Sequence, residues 1–100
     1  MLNITPSERM TDQQGRPYFL WDLDMELATF QARLRDADPV VRAYFLGKLM
    51  RQARPDDVFA FVSPHDILQD WPLLERHLGK TRAFWSWLFE QWEDLGLVQR

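Results

Sequence analysis

The clearest hydrophobic pattern in the chain lies between Asp38 and Ala53, where apolar residues recur at helical spacing. The stripe consists of Val41, Phe45, Leu49 and Ala53, widened by Leu46 and Met50. Asp38 can cap the first backbone N–H groups, and Pro39 suits the first helical position. Pro55 ends the pattern. A wide apolar stripe must be covered from more than one side, so the pattern predicts a central helix over 38–53.

Shorter apolar stripes flank this helix and predict further helices. Leu27, Phe30 and Leu34 indicate a helix over about 25–35, and its short link to the central helix predicts an αα-hairpin. Capping and apolar patterns predict the remaining helices over about 56–62, 64–69, 73–78 and 81–95. No window alternates long enough to indicate a sheet. The predicted fold is therefore all-α, a compact bundle of five or six short helices around the central hairpin.

The first fifteen residues differ from the rest of the chain because they are polar and aperiodic. They are interpreted as a mobile N-terminal arm, and residues 16–100 as a single helical domain. Residues 18–21 are four large apolar residues in a row, which need cover on both sides. They predict an extended or single-turn segment that lies across the helices. Asp22 and Asp24 suit the N-cap of the following helix.

Composition narrows the function classes. The chain has 100 residues, a net charge of −3 and no cysteine, and its pI is near 5.2. Disulfides and thiolate metal sites are excluded, and bulk charge gives no reason to expect nucleic acid or anionic membranes as partners. No apolar run is long enough to cross a bilayer. The expectation is a soluble cytoplasmic protein.

Candidate catalytic chemistry is weak. His65 and His77 are the only histidines, and each is interpreted as a surface or helix-end residue rather than a metal ligand. Asp56 and Asp57 follow Pro55 at a helix start, where the dipole stabilises acids. No nucleophile–base or metal constellation is visible, so we expect no enzyme activity, no metal and no cofactor. Gly47 lies inside the central helix, where glycine is unfavourable, and it therefore predicts the close approach of another helix.

The last predicted helix is unusually rich in aromatic residues. Phe84, Leu88, Trp92 and Leu95 form its predicted core stripe, extended by Trp85 and Phe89. Trp85 and Trp87 lie about 200° apart around a helix, so one contact cannot easily cover both. Exposed tryptophan is a typical anchor for protein association. The predicted protein-contact residues are Trp85, Trp87, Phe89, Trp21 and Trp71, with self-association as an open alternative.

The central helix also has a basic polar side. Its cations are Arg42, Lys48, Arg51 and Arg54. They are the candidate phosphate-binding residues of an alternative function, a nucleic-acid-associated protein. The competing interpretation pairs this side with acids elsewhere, such as those ending the last helix.

Two resemblances carry further expectations. Leu34–Leu49, which contains DADPVVRAYFLGKL, resembles the turn and second helix of a HEAT repeat. This implies a HEAT-like way of packing the central hairpin. It covers one hairpin only, and arrays need several units.

The second resemblance covers residues 16–70. It is carried by PYFLWD at Pro17–Asp22, by Ala53-Arg54, by Asp57-Val58-Phe59 and by a serine-led helix at Ser63–Ile67. These features are similar to a family of short uncharacterised bacterial proteins, often encoded beside abortive-infection-type nucleotidyltransferase toxins. The resemblance implies an antitoxin-like or accessory role with such a toxin as partner, and it brings no catalytic residues. The chain departs from that pattern at Glu26, where a Ser or Thr cap is expected, and in its Trp-rich end.

Overall fold

The computed structural model describes residues 2–98, and its elements there are helical. The helices are α1 Ser7–Met10, α2 Leu27–Leu34, α3 Pro39–Gln52, α4 Pro55–Val58, α5 Pro64–Gln69, α6 Trp71–Leu74 and α7 Arg82–Asp94. Two 3₁₀ turns, Glu75–His77 and Gly79–Thr81, join α6 to α7. Within residues 2–98 there is no strand, only an isolated bridge between Thr11 and Pro17. The all-α prediction is confirmed. The structure has one helix more than predicted because α1, a single turn, lies within the segment interpreted as a mobile arm.

The fold is compact, and its centre is α3. The Cα radius of gyration is 13.5 Å, close to the value of about 13 Å for a compact domain of this length. The Asp38 carboxylate accepts the Val40 N–H at 2.9 Å, and the helix ends before Ala53. Helices α2, α4 and α6 and both 3₁₀ turns contact it. The prediction of a central helix is confirmed, whereas the HEAT-like character of the α2–α3 hairpin stays a prediction.

Some of the helices begin and end with the capping residues that their sequences indicate, and others do not. Ser63 and Asp66 form a capping box at the start of α5, with reciprocal bonds of 3.1 and 2.9 Å. Gly96 ends α7 at a φ of 75°. Thr81 does not cap α7, because its hydroxyl donates instead to the Leu78 carbonyl at 2.6 Å. The predicted caps of α2 are also wrong: the helix begins at Leu27 behind Glu26, without a side-chain cap.

Gly47 lies where another segment touches the α3 backbone. A Cβ atom at this position would lie 2.6 Å from the Cβ of His77, on the 3₁₀ turn after α6. Carbon atoms that are not bonded to each other do not approach so closely, so only glycine allows this contact without a shift. The predicted close approach is confirmed, although the approaching element is a 3₁₀ turn.

Residues 2–15 lie against the helical domain. Met10 is buried in the core. The N–H and hydroxyl of Thr5 each donate to Asp57 at 2.7 Å, and the Asn3 N–H donates to Asp56 at 3.0 Å. A domain boundary between residues 15 and 16 therefore does not separate this segment from the core. Its mobility stays a prediction.

Asp57 is fully buried and connects four parts of the chain. Besides the two bonds from Thr5, it accepts the Tyr18 hydroxyl at 2.6 Å. The Tyr18 oxygen in turn accepts the Arg54 N–H at 2.9 Å. Burial raises the pKa of Asp57, but the bonds from Thr5 and Tyr18 and the charge of Arg54 outweigh it and hold the pKa below its usual value. The carboxylate is a structural anchor.

Within residues 2–98, no helix has both the length and the apolar character needed to cross a bilayer.

Replacing Gly47 with alanine should destabilise the fold. Alanine is favoured over glycine in a helix by about 1 kcal/mol, but here its Cβ would meet His77 at 2.6 Å. We expect Gly47→Ala to lower the free energy of unfolding by about 1–3 kcal/mol, measured by urea unfolding. Adding His77→Gly removes the opposing Cβ, so the double variant should lose less than the two singles summed. Strict additivity would contradict the contact.

Replacing Asp57 with asparagine should cost about 1–3 kcal/mol of unfolding free energy, because the amide cannot accept all three bonds. Asp56→Asn is the matched control, since both acids lie in the first turn of α4; it should cost about 0.5 kcal/mol or less. Because folding lowers the pKa of Asp57, its charge stabilises the fold above the unfolded pKa and loses that effect as pH falls through the folded-state value. The gap between wild type and Asp57→Asn should therefore narrow below about pH 4. A gap that does not change with pH would contradict this role.

Candidate interaction surfaces

The segment Pro17–Asp22 is attached to the helices partly by burial of its side chains and partly by hydrogen bonds to α3 and α4. Phe19 and Leu20 are buried in the core, and Pro17 is buried beside them. The Phe19 carbonyl accepts the Gln52 side-chain amide at 2.7 Å. Tyr18 is held by Asp57, as described above. The predicted placement across the helices is confirmed, and we call Pro17–Asp22 the motif segment.

Lys48 provides the charged end of this attachment. Its side chain lies on α3 with only 3% of the residue exposed. The ammonium donates to Asp22 at 2.6 Å and to Gln52 at 3.0 Å. The bond from Lys48 holds the pKa of Asp22 below its usual value, against some burial. A buried ammonium without this partner would be strongly unfavourable, so the contact fixes the end of the motif segment.

Trp21 is the exception within the motif segment. It is 76% exposed although both of its chain neighbours are anchored. Within residues 2–98 the indole makes no hydrogen bond and no ring contact. Two consecutive turns, closed by Leu20 N–H to Pro17 and by Leu23 N–H to Leu20, hold its backbone. The sequence predicted Trp21 as a contact residue, and the structure places it where a partner could reach it.

The inner side of α7 contains two residues that the sequence assigned to a partner. Trp85 is 1% exposed, and its indole N–H donates to the Met50 carbonyl at 3.1 Å. Phe89 is fully buried. Its ring centroid lies 6.3 Å from that of Trp85, on which it stacks, and 6.1 Å from that of Trp71. Trp71 is partly buried against the core. Trp85 and Phe89 are core residues, so their assignment as contact residues is corrected.

The outer face of α7 carries the exposed aromatics. Positions 84, 87, 88, 91 and 95 fall within an arc of about 100° on a helix, and we call them the outer face. Trp87 is 55% exposed, Phe84 42% and Leu95 71%, while Leu88 is half-buried and Gln91 exposed. The Phe84 and Trp87 rings lie 6.4 Å apart. The predicted core stripe is therefore wrong at Phe84 and Leu95, because the helix is rotated to bury Trp85, Phe89 and Trp92.

The four basic residues of the central helix do not form one open face. Arg42 grips Asp70 at 3.0 and 3.1 Å, and Lys48 is paired with Asp22. The Arg51 guanidinium donates to the His77 carbonyl at 2.8 Å. The Arg54 guanidinium donates to the Thr5 hydroxyl at 2.9 Å. Their donors are directed at acceptors in this chain, and the pairing acids lie outside α7. Phosphate binding by these residues stays a prediction.

No group of three or more His, Asp or Glu side chains among residues 2–98 is placed to hold a metal ion. A groove of about 680 Å³ runs between the α4–α5 connection and α7 and is lined mainly by apolar residues, including Leu2, Phe59, Phe61 and Trp92. Of its polar residues, Ser63 and Asp66 are bonded to each other in the capping box. The groove has the lining of a packing surface.

The two sides of α7 should respond differently to truncation. Trp85→Ala leaves a large cavity and should lower the unfolding free energy by about 3–5 kcal/mol. Trp87→Ala removes exposed surface and should change it by about 0.5 kcal/mol or less. Chemical unfolding followed by helical circular dichroism measures both. Equal losses in the two variants would place Trp87 in the core.

Comparisons with known proteins do not show which family this chain belongs to. No protein-family model, no curated protein and no solved structure matches the chain. The resemblance of residues 16–70 to the PYFLWD-type family accordingly stays a prediction. Trp21 and the outer face of α7 are the candidate interaction surfaces, since each carries an exposed tryptophan.

Proposed function

We propose that this chain is a small helical protein-interaction module whose motif segment presents Trp21 to another protein. The observation that carries the proposal is the contrast within the motif segment: its other residues are anchored or buried, and Trp21 is 76% exposed. Exposing an indole to water is unfavourable for a lone monomer. A binding role accounts for that exposure.

The surroundings of Trp21 suit an anchor for binding. The preceding residues are fixed in the core, and the following Asp22 is paired with a buried ammonium at 2.6 Å. Such support lowers the conformational entropy that is lost on binding, because the backbone is already in place. Tryptophan on a rigid platform is the residue type most enriched among binding hot spots.

The resemblance of residues 16–70 supports a more specific role. It suggests a toxin-neutralising or accessory subunit whose partner is a neighbour-encoded, nucleotidyltransferase-like toxin. Trp21 lies within the resembling range, and the outer face of α7 lies outside it. We therefore assign the partner shared with that family to Trp21. The alternative of nucleic-acid binding has less support, since the four basic residues of the central helix donate to acceptors within the chain.

Co-purification tests the proposal. The chain is co-expressed with the protein encoded beside it, and the captured amount is compared between wild type, Trp21→Ala and Trp87→Ala. We expect Trp21→Ala to weaken binding about tenfold or more, as loss of a hot-spot residue does. Trp87→Ala is the matched control, an exposed tryptophan on another element, and should retain binding.

Three outcomes would count against the proposal. If the wild type captures no neighbour-encoded protein, the antitoxin-like role is wrong. If Trp21→Ala binds as the wild type does, Trp21 is not the anchor. If the chain instead binds DNA or RNA with a steep salt dependence, the nucleic-acid alternative is favoured. Thermal unfolding of Trp21→Ala, expected within about 0.5 kcal/mol of wild type, excludes misfolding as the cause.

A further inference from the structure

The charges of α7 are arranged against its own dipole. Lys80 lies in the 3₁₀ turn directly before α7 and Arg82 is its first residue, whereas Glu90 and Asp94 lie in its last turns. A helix prefers acids at its N-terminus and bases at its C-terminus, so this order is unfavourable for α7 alone. Arg82 is paired with Glu75. Lys80, Glu90 and Asp94 are exposed and form no ion pair within residues 2–98.

An antiparallel helix reverses that disadvantage. In such a pair, the start of one helix lies beside the end of the other, so Lys80 would lie near the negative end of the neighbouring dipole and Asp94 near its positive end. Lys80 and Asp94 would also lie opposite each other across the pair, twice by symmetry. The arrangement is complementary to itself, as a two-fold interface requires.

The outer face of α7 has the apolar residues that such a pair needs. A two-fold axis between Trp87 and Leu88 would place Phe84 opposite Gln91 of the second copy, and Trp87 opposite its Leu88. Lys80 would then come within one residue of the level of Asp94. Phe84, Trp87 and Leu95 are exposed along this line, and Glu90 and Asp94 border it. Apolar residues at the centre with charges at the border are the usual anatomy of an interface.

We propose that the outer face of α7 binds a second copy of this chain, with the two α7 helices antiparallel. A helix of 13 residues is about 20 Å long, so the contact is small and the dimer reversible. This surface is separate from Trp21, so the dimer and the complex with another protein are independent. The charge order that is unfavourable in one α7 becomes favourable in the pair.

Sedimentation velocity of the full chain over a wide concentration range tests the proposal. The wild-type average mass should rise with concentration towards twice the monomer mass, and Trp87→Ala should weaken association about tenfold or more. Trp21→Ala is the matched control and should associate as the wild type does. Added salt should weaken association by screening the charge pairs.

Charge reversal separates association from folding. Lys80→Glu and Asp94→Lys each improve the match to the α7 dipole, so each should leave the melting temperature unchanged or raise it. Each should nevertheless weaken association severalfold, because it places like charges opposite each other. The double variant Lys80→Glu/Asp94→Lys should recover part of the loss.

A monomeric wild type at every concentration overturns this inference, and so does association that is insensitive to both Trp87→Ala and charge reversal. Additive charge variants overturn the antiparallel arrangement. If Trp21→Ala no longer co-purifies with the neighbour-encoded protein but still self-associates, both the Trp21 contact and the α7 dimer are supported. Self-association with no dependence of co-purification on Trp21 keeps only the dimer.

Discussion

A single buried carboxylate connects most of this structure. Asp57 accepts three hydrogen bonds, from Thr5 and Tyr18, and Tyr18 accepts one from the backbone of Arg54. The N-terminal residues, the motif segment, the end of α3 and the start of α4 meet at this group. A fully buried charge is tolerated only when its bonds are satisfied, so the four segments must be in place together. Because the same segments also bury apolar side chains, the hydrogen bonds of Asp57 and the packing of the apolar core form together when the chain folds.

The helices with clear local signals were predictable from the sequence. Asp38 and Pro39 begin α3, Pro55 follows its end, and Ser63 with Asp66 begins α5, because these residues act on the backbone beside them. The attachment of residues 2–15 was not predictable, since Thr5 and Asp57 are 52 residues apart. Likewise, the sequence assigned Lys48 to the basic side of the central helix and Asp22 to a helix cap, and only the tertiary fold makes them a pair.

The orientation of α7 shows a limit of periodicity as evidence. Its apolar residues cover more than half of the helix circumference, so two stripes fit the spacing equally well. One stripe contains Phe84, Leu88 and Leu95, and the other contains Trp85, Phe89 and Trp92. The structure buries the second stripe, and there the Trp85 indole N–H donates to the Met50 carbonyl, an acceptor that no local pattern reveals. The candidate surfaces were therefore only partly predictable: of the predicted contact residues, Trp21 and Trp87 are exposed, whereas Trp85 and Phe89 are buried.

The contact at Gly47 has a consequence for the way in which α7 is joined to α3. Most helix contacts are made by side chains, which accommodate substitutions by small shifts. Here the α3 backbone meets the Cβ of His77 with nothing between them. The chain from His77 runs directly through Gly79–Thr81 into α7. The contact therefore limits how closely the chain that leads into α7 can approach α3, and no flexible side chain lies in between that could adjust.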